Sequence, residues 1–126
     1  MSYNPIKPTS AELEILQALW KIGPCSVKDV LNYLHDDRGY TTILKLLQIM
    51  TSKKLVKRVK KDRAHIYEAS YSADQTQRGL ISDLLNRVFD GSSSKLVMQA
   101  LSTRKASKDE LAEIRRMLDD LEGDLK

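Results

Sequence analysis

The chain contains one cysteine, one phenylalanine and one tryptophan in 126 residues, and no run of apolar side chains longer than three. Each scarcity excludes something. With Cys25 alone, neither an internal disulfide nor a multi-cysteine metal cluster can form, and nothing calls for an oxidising compartment. Such short apolar runs leave no transmembrane helix and no signal-peptide core. We therefore expect no membrane insertion and a cytoplasmic protein, with "MSYNPIKP" as a short Pro-punctuated tail. There is no Gly-rich phosphate loop, no HExxH pair and no Ser/His/Asp set in a helpful context. The expectation is a protein that is not an enzyme, with no catalytic residues, cofactor or metal. His35 and His65 are not read as a metal-binding pair. Cys25 reads as a small buried residue ahead of a helix. Phe89 is the only aromatic residue after position 72, which argues against a roomy ligand pocket there.

What is present is an ordinary soluble composition, 41% apolar and 30% charged, enough for one domain with an appendage. The charge is unevenly spread. Residues 1–72 hold 12 Lys and Arg against 7 Asp and Glu, whereas residues 73–126 hold 9 against 10. A basic front and a near-neutral rear point to a polyanionic partner for the front alone.

Helical periodicity begins at "TSAELEILQALWKIG", where Thr9 and Glu12 have capping-box spacing and Gly23-Pro24 ends the pattern. "CSVKDVLNYLHDD" gives a second helix capped by Ser26, and "YTTILKLLQIMTSKK" a third. The stretches "LVKRV" and "HIYEA" flank the charged "KKDRA" and read as a β-hairpin. Three short helices followed by a basic hairpin is the order of a winged helix-turn-helix. From residue 73 onward the pattern is helical, with apolar stripes in "SADQTQRGLISDLLNRVFDG" and "SKDELAEIRRMLDDLEGDL" and a short helix in "SSSKLVMQALSTR". So short a segment cannot bury a good core unaided. Its stripes need either the front domain or the same segment of a second chain, and the leucine-rich pattern favours the second. The expected fold is mainly α with a small β-hairpin. Residues 1–72 would be a winged-helix DNA-binding domain and residues 73–126 a helical dimerisation domain.

On a helix turning 100° per residue, Thr41, Lys45, Gln48 and Ser52 fall within about 60° of one another. Ile43, Leu46, Leu47 and Met50 cover much of the other side, with Leu44 and Ile49 on the flanks. A solvated face is the plainer reading of such a stripe. The residue types favour a working face, because no carboxylate occurs between Tyr40 and Lys61 and phosphates repel carboxylates. Lys45 can donate to guanine and Gln48 can pair with adenine. Thr41 and Thr42 can meet a thymine methyl or bond to phosphate. Tyr40, Ser52, Lys53, Lys60, Lys61 and Arg63 are the candidate backbone contacts, within a positive field that also includes Lys54, Lys57 and Arg58. The alternative is a winged-helix module for an acidic protein or RNA, without sequence-specific reading of duplex DNA.

"AELEILQALW", "YTTILKLLQIMTSKKLV", "DRAHIYEA", "FDGSSSKLVMQAL" and "SKDELAEIRRMLDDLE" together resemble the penicillinase-repressor family of bacterial regulators (BlaI/MecI/CopY type), in the same order and from about Thr9 to Glu122. The resemblance implies a homodimeric transcriptional repressor on a dyad DNA operator, often with TACA/TGTA half-sites. It implies base reading by Thr41, Thr42 and Lys45, with Gln48 as a further candidate, and wing contacts near Lys61 and Arg63. A dimer core would form from Leu84, Val88, Leu96, Val97, Leu101, Ile114 and Leu118. Some members are induced by a membrane sensor-protease pathway that ends in cleavage of an Asn–Phe bond, and the matching bond here is Gln99–Ala100. Copper-responsive members often carry paired cysteines near the C-terminus, which this chain lacks. Lys54 stands where the family usually has glycine.

Overall fold

The computed structural model describes residues 7–35, 37–61 and 64–125, and only the backbone of Lys60, Lys61 and Ala64. The chain divides into two units, Met1–Asp83 and Leu84–Lys126. This division falls within a helix, later in the chain than the change of composition after residue 72.

The first unit begins with α1, Ser10–Ile22. The Thr9 hydroxyl accepts from the Glu12 N–H at 3.2 Å, and the Glu12 carboxylate accepts from the Thr9 N–H at 2.9 Å. Two orphan donors of the first turn are thereby satisfied. Gly23 ends the helix at φ 95°, a backbone conformation that a side chain would strain. Ser26 and Asp29 form a second capping box at the start of α2, Val27–Leu34. After a turn, α3 runs from Tyr40 to Ser52.

Lys54, in the left-handed region at φ 65°, turns the chain out of α3. Strand β1 (Val56–Lys61) then pairs antiparallel with β2 (Ala64–Ala69), with Arg58 opposite Tyr67 and Val59 opposite Ile66. Tyr67 also exchanges two backbone hydrogen bonds with Cys25, of 2.8 and 3.0 Å, which fix the hairpin to the entrance of α2. Ile15, Leu19, Val30, Ile43, Leu47, Met50 and Tyr67 form the centre of the core. The Trp20 indole is half-buried and donates to the Tyr71 carbonyl at 3.0 Å.

Helix α4 covers Ala73–Arg87, and its Thr76 is buried. Gly91, at φ 76°, follows it and donates to the Leu85 carbonyl. In the second unit, α5 (Ser93–Thr103) is capped by Ser92, and α6 (Lys108–Asp124) by the Ser107/Glu110 box. Neither helix has a buried residue. Val88, Met98, Met117, Leu118, Leu121 and Leu125 are each more than half exposed. Here the caps and turns set the helices, while much of their apolar surface stands exposed among the described residues.

Candidate nucleic-acid interface

Helix α3 is held by Ile43, Leu47 and Met50, none of which has any exposed surface. Anchoring on one side presents Thr41, Thr42, Lys45, Gln48 and Ser52 on the other, all exposed. Thr51 and Ser52 turn their hydroxyls back to the Leu47 and Gln48 carbonyls, at 2.8 and 3.3 Å. Tyr40 stands half out of the surface at the helix entrance. Ile49, which the sequence leaves on a flank, is 39% exposed and lies within about 40° of both Thr42 and Lys45 around the helix. The exposed side of α3 is therefore a stripe of hydroxyl, amide and cationic groups that also carries one aliphatic side chain. An apolar side chain in this place suits the methyl of thymine.

The candidate backbone contacts separate into three groups. Tyr40 and Ser52 border the stripe. Lys53 turns inward: its ammonium lies 2.9 and 3.1 Å from the two oxygens of Glu12, whose side chain is 2% exposed. Burial pushes the Glu12 carboxyl up, but the Thr9 hydrogen bonds and the Lys53 ammonium outweigh it and hold the group below the ordinary carboxylate value. Lys53 thus joins the end of α3 to the start of α1. Lys60 and Lys61 lie on β1 toward the hairpin turn, and Arg63 lies outside the described residues.

A groove of about 440 Å³ runs beside the stripe, between the first turn of α2, α3 and the hairpin. Lys28, Arg58 and His65 line it together with Tyr40 and Gln48. No helical or strand periodicity groups those three basic residues, since they come from three elements. The pairing of Cys25 with Tyr67 and the hairpin register are what unite them.

In the second unit Leu84, Val88, Val97 and Leu118 are exposed, while Leu96, Leu101 and Ile114 are half-buried. Gln99 and Ala100 are exposed within α5. Cys25 is buried, and burial first, with the Asp29 charge second, pushes its thiol up to about 11. His35 occupies the left-handed C-cap of α2. Among the described residues there is no group of three His, Cys, Asp or Glu able to hold a metal, and no helix long and apolar enough to cross a membrane.

Three helices, a two-stranded wing and a carboxylate-free stripe on the outer side of the third helix define a winged-helix DNA-binding regulator of transcription. Comparison with known proteins makes this specific. The family model described as "Penicillinase repressor" matches residues 8–120. A transcriptional regulator BlaI of Mycobacterium tuberculosis is 32% identical over 115 residues, covering 89% of this chain and 83% of its own. A penicillinase repressor of Staphylococcus aureus is 20% identical over 123 residues, covering 96% and 98%. Among solved structures, a MarR family protein from Bacillus stearothermophilus shares the fold with a TM-score of 0.51 at 19% identity, covering 94% of this chain and 75% of its own. The chain belongs to the penicillinase repressor family.

Proposed function

We propose that the protein represses transcription by binding a dyad DNA operator as a homodimer and denying access to a promoter. The observation that carries this reading is the exposed arc of α3, where Thr41, Thr42, Lys45 and Gln48 stand without an intervening acid. In a major groove, Lys45 donates to guanine, Gln48 pairs with adenine, and the threonines meet thymine methyls or phosphates. Tyr40, Ser52 and the hairpin residues Lys60, Lys61 and Arg63 hold the register by neutralising phosphate. Lys53 supports α3 through Glu12 and contributes to DNA binding indirectly.

The uncovered apolar faces of α4, α5 and α6 support pairing with a second copy. Leu84, Val88, Leu96, Val97, Leu101, Ile114 and Leu118 would form the shared core of the dimer. Two-fold symmetry then sets the reading helices one DNA turn, or a multiple of it, apart. Derepression through a membrane sensor-protease pathway would cut near Gln99–Ala100, whose exposure on α5 favours access once the helix opens. The cytoplasm is the compartment such a regulator requires.

The test uses a duplex selected from a randomised pool by the full chain, with a scrambled duplex beside it. Lys45→Ala should cost about 1–3 kcal/mol on the selected duplex and far less on the scrambled one, read by fluorescence anisotropy. Equal losses on both would reduce Lys45 to a phosphate contact. A wild type that does not distinguish the duplexes would favour the protein- or RNA-binding module instead.

A further inference from the structure

We infer that the groove between α2, α3 and the hairpin seats one particular backbone phosphate of the bound duplex, gripped by Lys28, Arg58 and His65. The inference rests on the DNA-binding reading above and adds a contact set that lies apart from the wing tip.

Its first support is the charge distribution. Lys28 comes from α2, Arg58 from β1 and His65 from β2, and all three line one groove that no carboxylate lines among the described residues. Among the described residues no acid forms an ion pair with any of them. The nearest acid in sequence to Lys28 is Asp29, whose carboxylate accepts from the Ser26 N–H at 3.1 Å within the capping box. The hairpin register separates its two faces in the same sense. Arg58, Tyr67 and His65 share the groove face, whereas Glu68 stands opposite Lys57 on the other. Gathering basic side chains without a counter-ion costs folding energy, and an anionic ligand offsets that cost.

The second support is the shape of the site. Val27, Leu44 and the buried Tyr67 ring supply apolar wall, and the polar groups project from it. Arg58 offers a planar fork of donors, Lys28 an ammonium, and His65 at least one N–H in either ionisation state. A tetrahedral phosphodiester oxygen pair matches that donor set. The paired backbone bonds between Cys25 and Tyr67 fix the distance between α2 and the hairpin, so the grip is tied to one position on the strand. Gln48 belongs both to this groove and to the stripe, and Tyr40 lines the groove at the stripe's border, which places the phosphate beside the bases that α3 meets.

The experiment replaces single phosphates of the selected duplex by uncharged methylphosphonates, one position at a time. Each duplex is titrated with the full-length wild type and with Lys28→Ala/Arg58→Ala, both exposed sites, and His65→Ala is run in parallel. In the wild type, one position per half-site should weaken binding roughly tenfold. In the double variant the same lesion should cost less than about twofold, while lesions elsewhere keep their full effect. Trp20 fluorescence and the urea midpoint check that the variants remain folded. If the wild type discriminates between duplexes but every lesion costs the variants what it costs the wild type, the groove is overturned and the DNA reading survives. If the wild type shows no sequence preference, that reading falls and the groove with it. Inorganic phosphate titrated into DNA-free protein supplies the other arm. Saturable shifts at Lys28, Arg58 and His65, with no coupling to any methylphosphonate, would assign the groove to a free anion and overturn its role on DNA.

Discussion

Glu12 combines two roles that are decided at different distances along the chain. Its place three residues after Thr9 marks a helix start, so the capping box is legible in the sequence. Its second partner, Lys53, lies 41 residues away, and no local pattern reveals it. In sequence Lys53 is one more cation in a basic run, and only the packing of α3 against α1 turns it inward. Losing Lys53 leaves a carboxylate at 2% exposure without its ammonium. Lys53→Met should therefore cost about 1–3 kcal/mol of stability, measured by urea unfolding. The pH dependence follows from the lowered Glu12 pKa. Its contribution is present above the ordinary value of 4.5 and is lost as pH falls through the depressed folded value. Between pH 7 and pH 3 the wild type should lose more stability than Glu12→Gln, and identical pH profiles would show that Glu12 contributes nothing to acid sensitivity.

At the scale of elements, amphipathic spacing reveals most of what the structure contains. The apolar period of α3 predicts Ile43, Leu46, Leu47 and Met50 inside and Lys45 and Gln48 outside, and all agree except Leu46, which is half-buried. The β-branched and aromatic pattern predicts the hairpin, and β1 and β2 occupy it. What spacing does not reveal is how elements meet. Ile49 joins the reading side because the buried arc of α3 is narrower than its apolar content suggests. The grouping of Lys28, Arg58 and His65 depends on the register of two strands and on the Cys25–Tyr67 bridge. Helix α6 tests the pairing of chains. Leu118 is 53% exposed in the single chain, so a charge there costs little unless a partner covers it. Leu118→Glu should shift the protein toward monomer in sedimentation velocity and leave Trp20 fluorescence unchanged. A distribution of species identical to wild type would remove α6 from the interface.

At the scale of the whole molecule, composition places a boundary after residue 72, whereas contacts place the division after Asp83. Physical ties explain the difference. The Trp20 indole donates to the Tyr71 carbonyl, Thr76 is buried, and Lys7 lies 3.6 Å from Asp83. Composition registers charge and periodicity, which change near residue 72, but not the adhesion of a helix's first turns to the domain before it. A chain ending at Asp83 should remain folded and monomeric by light scattering. On the selected duplex it should bind roughly 10²–10⁴-fold more weakly than the full chain, because linkage of two half-sites is lost. Undiminished affinity would reject the linkage of two readers.

The sealed thiol of Cys25 has a practical corollary. With the only sulfhydryl of the chain held almost wholly protonated at neutral pH and shielded from solvent, maleimide dyes and spin labels should find almost nothing to react with in the native protein. Probes can then be attached through cysteines engineered on α3 or α6 without first removing the natural one, and the parent chain serves as its own dark background when the pairing of protomers and the binding of a duplex are tested.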